Sequence, residues 1–407
     1  MTTFVYIIGD SEVNVWGLSG RERLQRMLKA HHERITLVDD LGNVPDGGSV
    51  LFLCADHLFD ARVLSTLVQT QSNLILDSNS DQIAAIHIVD GDASNVLADF
   101  LGVGDGNAIS VFTHYSLDEL NLDFQQKNLK KKDAPYVLFI NRVNCKILES
   151  ELFSGSYKGV TDLVTKWVWP APASWITHLC VRIGLSPNHV TLMSYVFAIL
   201  AGVSFWFGSY GIGLLMGWVM TFLDTVDGKL ARVTVTSSRL GDVLDHGLDI
   251  IHPPLWYMAW GIGLSAVSLS VSGLEVLIWL MFIGYIGGRI CEGVFQFFVG
   301  SFDIFIWQKF DSFNRLITAR RNPNLILLTG GWIIGQPDLG FFAVVIWHLI
   351  STAILVIRVV YGWRAKYHNG PLKSWFEEIV PNQEDGGLAV RIFTRTPVSI
   401  NDRRVTN

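Results

Sequence analysis

Four aspartates, Asp224, Asp227, Asp245 and Asp249, interrupt one of the most apolar stretches of this chain. Carboxylates in a low-dielectric setting repel one another, and they are tolerated there when they face a bundle interior, pair with a cationic group or bind a cation. Oxygen-only donors in this number suit Mg²⁺, Mn²⁺ or Ca²⁺ and not zinc, which favours His and Cys. Such ions commonly hold phosphate. Gly228, directly after Asp227, removes a side chain where a ligand would approach the backbone, and Arg232 offers a planar fork to phosphate oxygens.

The elements that must position these groups are helices. Asp224, Asp227 and Ala231 are spaced i, i+3, i+7, and Gly241, Asp245 and Asp249 are spaced i, i+4, i+8, so each set shares one helical face. Apolar segments long enough to cross a bilayer recur near 190–208, 211–232, 242–265, 273–298, 323–337 and 339–362. The fifth is short and Gly-rich. Lys229, Arg232, Arg239, Lys309, Arg315, Arg320, Arg321, Arg364 and Lys366 all fall on one side of this arrangement, and the opposite turns carry no Lys or Arg. By the positive-inside rule this predicts a multi-pass protein of the cytoplasmic (cell) membrane with both termini cytoplasmic. Both acidic pairs then lie just inside the cytoplasmic ends of adjacent antiparallel helices.

Composition agrees with a chain of two characters. Of 407 residues, 50% are hydrophobic and 17% charged, and the mean hydropathy is +0.34. A net charge of -6 supplies no general basic field, so nucleic acid is not an expected partner. Cys54, Cys145, Cys180 and Cys291 fall in no metal-ligand spacing, which fits a reduced, cytosol-facing protein. The first residues, MTTFVYIIGDSEVN, show no cleavable signal pattern.

The first 150 residues read as a soluble α/β domain. Short β-rich runs at 4–8, 35–38, 49–53, 73–77, 83–89 and 136–140 alternate with helical patterns, and a three-layer fold follows. Ser19 with Glu22 has capping-box spacing for the helix SGRERLQRMLKA. The basic run NLKKKD at 128–133 reads as helix-leaning and solvated. Residues 151–186 form a linker and an amphipathic juxtamembrane helix, with Trp167, Trp169 and Trp175 beside Lys158, Lys166 and Arg182, and Pro170 and Pro172 are expected to break it. A six-helix membrane domain occupies 187–365, and 366–407 is a cytoplasmic tail.

The segment D224-TV-D227-G228-KL-A231-R232, eight residues, then G241-DVL-D245-HGL-D249 resembles the signature of the CDP-alcohol phosphotransferase family at every fixed position. The stretch Ser186 to Thr191, SPNHVT, is similar to that family's PN-x-[VI]-T. The likeness covers about residues 157–365. It implies a six-helix membrane enzyme, usually a homodimer, that transfers a phospho-alcohol from a CDP-alcohol to an acceptor hydroxyl and releases CMP. By the same resemblance, Asp224, Asp227, Asp245 and Asp249 would hold two divalent ions, Mg²⁺ or Mn²⁺, with Asp245 and Asp249 on the catalytic side and Asp249 as general base. Gly228, Ala231, Arg232 and Gly241, with Asp224 and Asp227, would line the CDP site.

Other charges bear on the acceptor. Arg315, Arg320 and Arg321 precede an NPN helix start, a place for a phosphorylated or anionic alcohol. Arg289 and Glu292, at i, i+3, read as a structural pair or part of the acceptor cavity. Pro253 and Pro254 should free carbonyls one turn after Asp249, and His246 and His252 read as packed. The run LFLCADHLFDARVLSTLV, with Asp56, resembles nucleotidyltransferase domains, which occur fused to this family. Without a glycine-rich loop after the first strand, the N-terminal domain reads as degenerate, structural or regulatory. The sequence leaves open which substrate carries the lipid, with a weak lean to inositol-type chemistry. The other reading is a divalent-cation transporter with a soluble regulatory domain. It is disfavoured by the lack of interrupted hydrophobic segments repeated in two halves.

Overall fold

The computed structural model describes residues 2–29, 35–45, 47–78, 80, 82–89, 91–104, 106–120, 122–236, 239–266, 273–379 and 387–394; for 128, 239–246, 248 and 249 it describes the backbone alone. The chain divides into two compact units. The first comprises Met1–Phe124, Asp133–Gly155 and Val233–Thr236; the second comprises Gln125–Lys132, Ser156–Arg232 and Ser237–Asn407.

The first unit is built on β1 (Thr3–Ile8), β2 (Ile35–Leu37), β3 (Ser49–Cys54), β4 (His57–Phe59), β5 (Leu74–Asp77), β6 (Ile83–Ile88) and β7 (His114–Tyr115). Its sheet has the order β2-β1-β3-β6-β5-β7. β1 is parallel to β2 and β3, while β6 runs antiparallel to β3 and β5. Helices α1 (Gly20–Lys29) and α2 (Ala61–Gln69) lie on one face, and α3 (Ala93–Phe100) and α4 (Asn107–Ser110) on the other. Every residue of β3 is buried, as a central strand covered on both faces requires. The three-layer expectation holds. The run at 136–140 does not join the main sheet: its strand Val137–Phe139 pairs antiparallel with β4.

In the second unit, β8 (Gln125–Gln126) and β9 (Lys131–Lys132) form a hairpin; Val137–Phe139, which is β10, belongs to the first unit. The basic run is therefore a single 3-10 turn (Lys127–Leu129) and a strand, not an α-helix, and Lys131 is buried. After α5 (Cys145–Gly155), which is part of the first unit, the second continues with a π-turn (Val164–Val168) and α6 (Pro170–Arg182). Pro170 begins α6, where its missing N–H costs nothing. Trp167 and Trp175 are exposed, whereas Trp169 packs edge-on against Phe222 at 5.2 Å.

The helices that follow are α7 (Pro187–Trp206), α8 (Tyr210–Val233), α9 (Arg239–Ala266), α10 (Leu274–Val294), α11 (Lys309–Ile317), α12 (Arg321–Ile333), α13 (Pro337–Asn369) and α14 (Gly387–Phe393). Among the described residues, three helical stretches are long and apolar enough to cross a membrane: Pro187–Trp206, Leu274–Val299 and Pro337–Asn369. Their outer faces carry Ile199, Trp279, Ile283 and Ile357, each exposed by 60% or more, while Ser194, Thr221, Asn324 and His348 are buried. Apolar outside and polar inside is the arrangement a lipid solvent selects. α12, with 13 residues, is only about 20 Å long. It packs against α13 through Gly331 and Gly340, where an added Cβ at Gly331 would lie 2.5 Å from the Gly340 Cα.

Candidate active site

α8 carries half of the acidic quartet. Asp224 accepts a charge-assisted hydrogen bond from Arg321 Nη2 to Oδ2 at 2.5 Å, and Arg321 is the first residue of α12. One turn on, Thr191 Oγ1 donates to Asp227 Oδ2 at 2.6 Å. Thr191 closes the SPNHVT stretch near the start of α7, so the last residue of that stretch holds one oxygen of Asp227. Lys229 and Arg232 both donate to the Ser156 carbonyl, each at 3.2 Å, and Lys229 Nζ sits 3.6 Å from the centre of the Tyr157 ring. A Cβ on Gly228 would lie 3.5 Å from Arg232 Nη1, which puts the fork guanidinium directly beside the glycine.

Gly241, Asp245 and Asp249 are on α9, a continuous helix, so their i, i+4, i+8 register puts them on one face of it. Their side chains, with those of Arg239 and His246, lie outside the described residues. Among the described residues, no three His, Cys, Asp or Glu side chains gather as a metal cluster. The donor set nevertheless fits a hard divalent cation. Asp224 and Asp227 offer oxygen donors alone from one turn of helix, each held in orientation by a neighbour's donor, and Arg321 already brings positive charge to Asp224.

The prolines of α9 free a carbonyl, as expected, but do not interrupt the helix. The helix runs through them from Arg239 to Ala266. Pro254 has no N–H to offer the Ile250 carbonyl, and the Tyr285 hydroxyl from α10 donates to it instead at 2.9 Å. This bond fixes α9 at the residue after Asp249. His252 stacks edge-on against Trp256 at 4.8 Å, a packing contact.

Beside these residues, within the second unit, is a cavity of about 930 Å³. Ile250 and Pro253 line it on one side and Arg321 on another, so it adjoins both α8 through the Arg321–Asp224 pair and α9 just past Asp249. Seven of its lining residues are Lys or Arg and four are Asp or Glu. Glu292 is shared: Arg289 Nη2 donates to it at 2.7 Å, and Arg320 Nη2 donates to its other oxygen. The Arg289–Glu292 pair is thus both a structural pair and cavity wall. Asp162 accepts from Asn322 Nδ2 at 2.9 Å and from the amides of Val164 and Thr165. Burial raises its pKa, but Arg315, Asn322 and Thr165 together outweigh burial and hold it below the usual carboxylate range.

Several guanidinium N–H groups on this wall have no hydrogen-bond partner although their atoms are buried: Arg315 Nε and Nη1, Arg320 Nε and Arg289 Nε. Burial, reinforced by the neighbouring Arg320, pulls the pKa of Arg315 down. Arg315, Arg320 and Arg321 all line this one cavity. Sequence reasoning missed Lys130, Asp162 and Tyr285, which arrive from distant segments; the three consecutive lysines at 130–132 were the available signal.

In the first unit, Asp56 Oδ1 meets His57 Nδ1 at 2.7 Å. At the N-terminus of α1, Asp10 Oδ1 accepts from the Arg21 amide at 3.0 Å and Ser11 Oγ accepts from the Gly20 amide at 2.8 Å. Ser19 Oγ accepts from the Glu22 amide at 3.2 Å, as its spacing predicted. The donors that could cradle a phosphate there are spent on the chain's own side chains.

Comparison with known proteins agrees with the acidic signature. A family profile described as CDP-alcohol phosphatidyltransferase matches residues 185–306. A choline/ethanolaminephosphotransferase 2 of Arabidopsis thaliana is 36% identical over 89 residues, 19% of this chain and 23% of the relative. A cholinephosphotransferase 1 of Xenopus laevis is 29% identical over 31% of this chain and 33% of its own length. An archaetidylinositol phosphate synthase of Pyrococcus horikoshii is 31% identical over 19% of this chain and 42% of its own. The matched part spans less than half the length of each of these relatives. The aspartate signature, complete at every fixed position, lies inside the stretch 185–306 that matches the CDP-alcohol phosphatidyltransferase family, so that part of the chain is similar to this family.

Proposed function

We propose that this protein transfers a phospho-alcohol from a CDP-alcohol to an acceptor hydroxyl with release of CMP, in phospholipid or polar-headgroup synthesis. The observation that carries the reading is the Arg321–Asp224 pair, because it joins the acidic helix to a basic cavity large enough for a small polar substrate. Asp224, Asp227, Asp245 and Asp249 would hold two divalent cations, Mg²⁺ or Mn²⁺. Bound there, these ions would neutralise the pyrophosphate and the departing CMP. Gly228, Ala231, Arg232 and Gly241 would line the CDP site, with Arg232 as a fork for phosphate oxygens.

The chain's own residues supply position and proton transfer. Thr191 and Arg321 fix the orientations of Asp227 and Asp224. Tyr285 steadies α9 where Asp249 would take the proton of the attacking hydroxyl. The acceptor, an alcohol carrying a phosphate or another anion, would enter the cavity and meet Arg315, Arg320 and Arg321.

The wider arrangement is part of the proposal: six spans, with both termini on the cytoplasmic side of the cell membrane, and a homodimer. The division is 1–150, 151–186, 187–365 and 366–407. The N-terminal domain is structural or regulatory, in keeping with the self-capped start of α1. The test is CMP formation from CDP-alcohols by the full chain in detergent with Mg²⁺ or Mn²⁺. No metal-dependent CMP from CDP-diacylglycerol, CDP-choline or CDP-ethanolamine with any acceptor would refute the reading, and cation uptake without CMP release would favour the transporter.

A further inference from the structure

The cavity is not enclosed by the family region alone. Part of its wall comes from two segments well outside residues 185–306: the hairpin Gln125–Lys132 and the strap Leu372–Glu377. Both are fastened to the same short turn, Asp303–Trp307. Lys130 Nζ reaches Asp303 Oδ2 at 2.5 Å, Ser374 Oγ donates to the Ile306 carbonyl at 2.6 Å, and the Trp375 amide donates to the Trp307 carbonyl at 3.1 Å. The two segments are also tied to each other, since Lys132 Nζ donates to the Phe376 carbonyl at 2.8 Å.

Lys130 is placed at a conformational cost. Its φ of 47° and ψ of 49° are left-handed, a region that non-glycine residues seldom adopt. The hairpin is held in place from behind, where the Gly159 amide donates to the Leu129 carbonyl at 2.9 Å and a Cβ on Gly159 would lie 2.6 Å from the Lys130 carbonyl oxygen. A strained residue persists where its surroundings over-determine it, and such residues gather at binding sites.

The charges say what the cavity takes. Cationic lining residues outnumber acidic ones seven to four, and Arg315, Arg320 and Arg289 keep buried N–H groups without acceptors. Unsatisfied buried donors are costly, and an anion presenting several oxygens satisfies them together. An acyl chain would bury charge against hydrocarbon here.

We propose that the hairpin 125–132 and the strap 372–377 cap the acceptor cavity, and that Lys130 is a specificity-determining residue selecting a water-soluble alcohol that carries a phosphate. It follows that the lipid is on the CDP-alcohol donor. This inference rests on the phosphotransferase reading above.

The experiment is hydrogen exchange on the full chain in detergent, with sn-glycerol 3-phosphate as probe, glycerol as the uncharged control and phosphatidic acid in mixed micelles as the lipid-borne phosphate. Glycerol 3-phosphate at about ten times its dissociation constant is expected to slow exchange in 125–132 and 372–377 about tenfold, with glycerol and phosphatidic acid without effect. In Lys130→Gly, which removes the ammonium and suits the left-handed backbone, the slowing should fall at least about threefold while exchange in α10 and α13 is unchanged. The proposal is overturned if wild type shows no slowing, if phosphatidic acid or glycerol acts equally, or if Lys130→Gly responds as wild type does. CDP binding with Mn²⁺ is measured in parallel. Its loss in the wild type would sink the underlying reading, whereas CDP binding without cap protection would sink only this inference.

Discussion

Two places in this protein gather N–H donors, and they are treated in opposite ways. At the start of α1 the helix amides are met by Asp10, Ser11 and Ser19 of the same loop. In the cavity of the second unit, Arg315, Arg320 and Arg289 retain buried N–H groups without partners. A helix end that satisfies itself contributes stability and leaves nothing for a ligand. A wall of incompletely satisfied guanidinium groups is destabilising in isolation and is recovered by binding. The difference separates a helix end whose donors are spent within its own loop from a cavity wall whose donors, under the proposed function, are left for a substrate.

The largest effect that would sharpen this contrast is at the acidic helices. Asp249→Asn is expected to lower CMP formation about 10²- to 10⁴-fold while CDP-alcohol binding survives, as removal of a general base requires; turnover within a few-fold of wild type would remove the assignment. Next, Arg315→Ala should raise the KM for a phosphorylated acceptor about ten- to hundredfold, with the KM for the CDP-alcohol unchanged, because one charge-assisted partner is lost. Steady-state kinetics with each substrate varied in turn would check this.

In the first unit the expected changes are in stability alone. His87 is fully buried, with Nε2 2.7 Å from Ser49 Oγ, and burial pulls its pKa down to about 4. The native state then refuses a proton that the unfolded chain accepts near pH 6.5. Stability should therefore be full above pH 6.5 and decline as the pH falls towards 4, by about 2 kcal/mol at pH 5 from this group. Exchange of the β6 amides against pH would read it, and a flat profile would contradict it. Smallest of all, Asp10→Ala should cost this unit about 1 kcal/mol by loss of a helix cap, with CMP formation untouched; a loss of CMP formation at unchanged stability would break the comparison.

The two regions also differ in how far they were legible in sequence. Asp224, Asp227, Asp245 and Asp249 lie on consecutive helices, so helical period alone places each pair on a face, and the expected helix limits fall within a few residues of α7 to α10. Pro254 was readable for the same reason, since a missing N–H is a local fact; that Tyr285 would answer the freed carbonyl was not. The cavity is assembled from Lys130, Asp162, Arg289, Arg315 and Glu377, whose meeting is decided by tertiary packing. The lysine run read as solvated because periodicity cannot report that a hairpin from before the membrane helices folds into the second unit. Likewise, 136–140 reads correctly as a strand, but its partner β4 is a matter of register.

The most direct test of the central claim is CMP release by purified full chain in detergent, from CDP-diacylglycerol and a phosphorylated polyol, with Mn²⁺ and with chelator. The account predicts CMP formation that requires both the metal and the acceptor phosphate and that disappears in Asp224→Asn. CMP formation of equal rate in that variant, or none in the wild type, would contradict it.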